Sequence, residues 1–169
     1  MPDREETPMG PAEKLVSAMQ FQDVKLRSVH LETSVPKNQD AAINANPNAN
    51  CELGFDGKVL LNSTNEQTVI VTTFSAKLNT AIGSIHLSME GQFLAPELLQ
   101  QRTINQGMKA FVEGVAFPTV APFMRETIHS LTQKAFIQPL VLPYYEHQPM
   151  DLEFPDVGYG DSSEENEGA

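Results

Sequence analysis

The sequence predicts an α+β protein, a four-stranded antiparallel sheet with long helices packed on one face. Three observations lead there. Four segments between Met19 and Phe93 alternate apolar and polar residues with the period of a strand. After Pro96 the apolar spacing becomes helical. All strands precede the helices, with none of the alternation that builds parallel sheets. The chain has 169 residues, 40% of them apolar, which suits one domain with a real core.

Residues 1–17 carry prolines at 2, 8 and 11 among charged and small residues. They read as a flexible arm with a short helical turn near Glu13–Val16. The first strand, Met19 to Glu32, changes phase twice: Met19/Phe21, then Val24/Leu26, then Val29/Leu31. Each change requires a bulge or a switch of buried face. Val35 to Asn50, rich in Asn, Ala and Pro, is a connector. The second strand puts Leu53, Phe55, Val59 and Leu61 on one parity, with Gly57 interrupting. The third, Gln67–Leu78, puts Ile70, Phe74, Ala76 and Leu78 on one face and Val69 and Val71 on the other. The fourth, Ile82 to Phe93, aligns Ile85, Leu87, Met89 and Phe93. Mostly short connections suggest an antiparallel meander. Val24, Leu26, Val69 and Val71 fall on the opposite parity, so burial of the second sheet face in an oligomer is expected.

Pro96 suits the first turn of a helix carrying Ile104, Met108, Phe111 and Val115, which Gly114 and Pro118 would end. A second helix is expected from about Thr119 to Lys134, with Pro122 in its first turn and Val120, Met124, Ile128 and Leu131 as its apolar stripe. An apolar extended piece bracketed by Pro139 and Pro143 follows. The expected domain is residues 18–146, and 147–169 form an acidic tail without regular structure.

Charge and motifs exclude several functions. The formal net charge is −11. The segment after Lys134 holds eight of the 22 acids and no base, leaving 14 acids against 11 bases, or −3, in residues 1–134. Such a chain repels phosphate backbones, so nucleic-acid binding is not expected. The lone Cys51 excludes an intrachain disulfide and a cysteine-rich zinc site. His30, His86, His129 and His147 lack metal-ligand spacing, although His30 and His86 lie on strands that could meet. Phosphate-binding glycine loops and a GxSxG elbow are missing. An enzyme and a bound cofactor are therefore not expected. The acidic start, Met1-Pro2-Asp3-Arg4-Glu5-Glu6, is unlike a signal peptide, and no apolar run reaches the length of a membrane span. A cytoplasmic location is the expectation.

The run Ala116-Phe117-Pro118-Thr119-Val120-Ala121-Pro122-Phe123-Met124-Arg125-Glu126-Thr127-Ile128-His129-Ser130 resembles the most recognisable segment of the SecB family of protein-export chaperones. In that family two prolines flank a short apolar stretch, and an aromatic residue and an Arg-Glu pair lead into an amphipathic helix. Ser28-Val29-His30-Leu31-Glu32, Gly91-Gln92-Phe93 and Phe136 with Pro139-Leu140-Val141-Leu142-Pro143 resemble family segments in the same order. The resemblance covers about residues 20–145.

The resemblance implies a dimer-of-dimers tetramer whose apolar grooves hold unfolded precursor polypeptides without nucleotide hydrolysis and pass them to SecA for export. It points to Phe117, Phe123, Phe136, Leu142, Tyr144 and Tyr145 as groove residues. Pro118, Pro122, Arg125 and Glu126 are expected in structural or subunit contacts. SecB-like relatives that guard antitoxins give an alternative function, and a purely structural assembly protein gives another. The chain departs from the family in lacking Trp and in Glu146–Pro155, whose prolines break the final helix that helps to dock SecA. Client holding is thus better supported than delivery to SecA.

Overall fold

In a computed structural model of the chain, residues 8–33, 50–62, 65–80, 83–135 and 158–161 are described. The elements run α1 (Pro11–Ala18), β1 (Gln20–Thr33), β2 (Asn50–Asn62), β3 (Gln67–Thr80), β4 (Gly83–Ala95), α2 (Gln101–Phe111), a π-helical turn (Val112–Ala116), α3 (Phe117–Ala135) and β5 (Gly158–Asp161). The four long strands are antiparallel and carry the helices on one face, as the periodicity predicts.

The strand order corrects the meander. It is β1-β4-β3-β2-β5, so only β2, β3 and β4 follow one another as neighbours, and β1 pairs with β4 at the far side. A fourth strand lying beside a three-stranded meander is a Greek-key arrangement, and it needs a long connection. The Asn/Ala/Pro segment between β1 and β2 supplies that length. β5 pairs in parallel with Lys58–Leu61 of β2, where the sequence suggested no regular element.

β1 contains the two expected irregularities. Its register slips between Phe21 and Asp23 and again between Leu26 and Ser28. Each slip returns the next apolar pair to the same face: Phe21, Val24, Leu26, Val29 and Leu31 align with Phe93, Gly91, Met89, Leu87 and Ile85. This corrects the expected position of Val24 and Leu26, which lie on the helix-covered face. Val69 and Val71 alternate with the buried positions and stay on the other face, half-buried.

The core lies between the sheet and the helices. Ile70, Phe74, Ala76 and Leu78 of β3 and Ile85, Leu87 and Phe93 of β4 are buried, as their parity predicts. Phe93 meets Phe111 edge-on with 5.1 Å between ring centroids. At Gly91 a β-carbon would lie 2.7 Å from Val120 Cγ2, so the missing side chain lets α3 come close to β4. Burial of each large side chain contributes about 1.5–3 kcal/mol.

The arm joins this core earlier than its composition suggests. Pro11 opens α1, the Gly10 N–H donates to the Glu13 carboxylate at 3.2 Å, and Leu15 is fully buried. Leu15 and Val16, adjacent in a short polar segment, give little periodic signal, but α1 packs on α2 and buries Leu15.

The helical region differs more. Pro96 does not start a helix. The Thr68 hydroxyl donates to the Glu97 carbonyl and accepts from the Leu99 N–H, both at 2.9 Å, and so fixes 96–100 as a connector. Gly114 and Pro118 do not end a helix either. The chain remains helical from Gln101 to Ala135, passing Pro118 through the π turn. There the Phe117 N–H donates to the Val112 carbonyl, five residues back. Proline lacks the N–H that an α-helix needs, and the wider turn accommodates its loss. The extra residue also resets the buried stripe, so Val112 and Ala116 are buried whereas Val115 is half-buried. Among the described residues no helix is long and apolar enough to cross a membrane.

Candidate functional site: an apolar face wider than its helical cover

The helix-covered face has apolar residues from one edge of the sheet to the other. Among the described residues the cover is narrower, because α3 lies mainly over β4, with lesser contacts to β1 and β3. Two apolar flanks result.

On the β1 flank Phe21, Leu26 and Val29 are 43%, 50% and 41% exposed, although Phe21 still touches Phe93 with centroids 5.7 Å apart. On the β2 flank Cys51, Leu53, Phe55 and Leu61 are half-buried against the core. An aromatic row leads from that flank inward. Phe55 packs on Phe74 at 5.3 Å between centroids, and Phe74 meets Phe117 of α3 edge-on, also at 5.3 Å. Gly57 does not interrupt β2; it leaves space for the Phe55 ring, whose Cζ would lie 2.9 Å from a β-carbon there.

This geometry sorts the site residues expected from the sequence. Phe117 is a core residue, 6% exposed, at the inner end of the aromatic row rather than on an open wall. Phe123 is 39% exposed on α3. Pro118, Pro122 and Glu126 are exposed and Arg125 is half-buried. Phe136, Leu142, Tyr144 and Tyr145 lie outside the described residues. Phe55, Phe21 and Val29 carry no site signal in the sequence, and Leu26 is expected there only in oligomer burial of the second sheet face. Phe55 has the signal of a core strand residue, and only its place on an outer strand distinguishes it.

The opposite sheet face is largely polar. Arg27, the extra residue at the second slip of β1, pairs with Glu90 at 2.9 Å. The Glu90 side chain is 7% exposed and also accepts from the Gln92 amide at 2.9 Å. With Asp56, Lys58 and Thr73 this pair lines a shallow open depression. His30 and His86 do come opposite one another there, and His30 contacts the Glu32 carboxylate at 2.9 Å. Among the described residues no group of three or more His, Cys, Asp or Glu side chains is placed to hold a metal. What the apolar face and the outer strands offer is burial of apolar side chains and backbone pairing at a sheet edge.

No protein-family model matches the chain, and no curated protein matches it. Solved structures do. The chain is similar to a SecB-like chaperone of Mycobacterium tuberculosis, in complex with a peptide from the HigA1 antitoxin. The TM-score is 0.57 at 14% identity, covering 80% of this chain and 96% of that one. A protein of unknown function from Streptococcus agalactiae has a TM-score of 0.45 at 13% identity, covering 75% of this chain and 97% of the other. The fold is SecB-like. At this identity the likeness concerns the fold, and the residues must carry the function.

Proposed function

We propose that this protein is a cytoplasmic, non-enzymatic and ATP-independent chaperone that holds unfolded polypeptides. The observation that carries this reading is the apolar face that extends beyond its helices on both sides. Such flanks bind by burying side chains of any apolar sequence, the selectivity a holding protein needs. The two flanks divide the work. The β2 flank, with Leu53, Phe55 and Leu61 over the Phe74–Phe117 row, takes the client. The β1 flank takes a second copy of the chain, because an open antiparallel edge can pair with itself about a two-fold axis. A second such contact would make the tetramer that the resemblance to the SecB family implies. The acidic net charge favours basic unfolded clients over nucleic acid.

Clients awaiting Sec-dependent export are the first reading, with SecA as a partner. A second is favoured by the antitoxin peptide bound to the mycobacterial protein: chaperoning of one antitoxin by a short recognition segment. The test is aggregation of a reduced, unfolded protein in the presence of the chain and of its Phe55→Ala variant. The native chain should delay aggregation at stoichiometric concentration, and the variant should bind the client about fivefold to tenfold more weakly. Unchanged aggregation with the native chain contradicts the holding function.

A further inference from the structure

The β2 edge is partly occupied by the chain's own β5. We propose that β5 is a built-in placeholder for an extended client strand, so that the segment Gly158–Asp161 competes with clients for backbone pairing along β2. The inference rests on the holding function proposed above and identifies how one of its surfaces is kept closed.

A strand at a sheet edge presents a row of N–H and C=O groups that any extended polypeptide can pair with. β2 is such a strand, 13 residues long, and β5 pairs with only Lys58–Leu61. Asn50–Gly57 have β3 on one side and no β5 partner on the other. Among the described residues no other strand pairs with the outer side of that stretch, which contains Leu53 and Phe55, apolar residues of the β2 flank. A client strand laid along the whole of β2 would gain the backbone bonds and set alternate side chains against those residues.

The placeholder is built to be displaced. It is four residues long and pairs in parallel, the weaker of the two ladder types. Two of its residues, Gly158 and Gly160, have no side chain to pack in a strand. It remains effective because it belongs to the same chain, and an intramolecular competitor acts at a high local concentration. The neighbouring acids Asp156, Asp161, Glu164, Glu165 and Glu167 keep the segment well hydrated once it is released. A longer, more apolar or basic strand would win the edge, whereas short polar segments would not.

The test uses the full chain carrying Tyr159→Pro together with Gly160→Pro. Adjacent residues of a strand direct their N–H groups to opposite sides, so one of the two prolines removes a donor facing β2 in either case. Hydrogen exchange at Lys58–Leu61 should accelerate in the variant. Its affinity for reduced, carboxamidomethylated lysozyme, a basic and permanently unfolded probe, should rise about threefold to tenfold, the inverse of the fraction of native chain with an open edge. Equal or weaker binding by the variant overturns the inference and leaves the holding function intact. Unchanged exchange at Lys58–Leu61 overturns it too, since β5 would not be closing the edge. If neither chain binds the probe, the holding function itself fails and takes the inference with it.

Discussion

The two outer long strands solve the problem of an exposed edge in opposite ways. β1 has no neighbour on its outer side among the described residues, and it is shaped by register slips and charge. Both slips bring apolar residues to the helix-covered face, and the second frees Arg27 to pair with a mostly buried Glu90 on the other. β2 runs without a slip through all 13 residues, has an aromatic row at its flank and, among the described residues, is closed over Lys58–Leu61 by β5. Irregular strands pair with few partners, and regular ones with many. That difference is why we propose a fixed subunit contact at β1 and a permissive client contact at β2.

The largest expected effect concerns what holds β1 in its register. Arg27→Ala removes the cation from the Glu90 carboxylate, which is 7% exposed, and leaves it the hydrogen bond from the Gln92 amide. Denaturant unfolding should show a loss of about 1–3 kcal/mol. Lys25→Ala provides the contrast on the same strand. Its pair with Asp23 is 3.8 Å long with both side chains about half exposed, so its loss should be under about 0.5 kcal/mol. Equal losses would mean that the Arg27–Glu90 pair does not fix the edge.

A smaller effect on folding, with a clear effect on assembly, is expected from Leu26→Ser combined with Val29→Ser. Both side chains are already about half exposed, so each change should lower the stability of the subunit by less than about 1 kcal/mol. Light scattering should nevertheless show a smaller oligomer than the native chain forms. An unchanged mass would remove β1 from the subunit contact.

Much of this comparison was legible in the sequence, but not all of it. The phase changes of β1 were visible because apolar pairs such as Val24/Leu26 and Val29/Leu31 break a period-two pattern. Their shared face was not, because only pairing with β4 shows that each slip restores the parity. The strand order escaped for a similar reason: local alternation gives no information about which strands become neighbours. Pro118 and Gly114 read as a helix end because local propensity disfavours continuation, and the π turn that overrides it is a tertiary solution. At the candidate site, proximity to prolines marks Phe117 and Phe123 in the sequence, yet Phe117 is core and Phe55 lies at the flank. Exposure depends on how far a helix reaches across a sheet, and periodicity carries no record of that.

The division between the edges is tested most directly by hydrogen exchange of the native chain with and without reduced, carboxamidomethylated lysozyme, a basic unfolded client. The client should newly protect amides of β2, above all within Asn50–Gly57. Those of β1 should be slow to exchange in the client-free assembly and unchanged by the client. New protection on β1 with none on β2 would contradict the account.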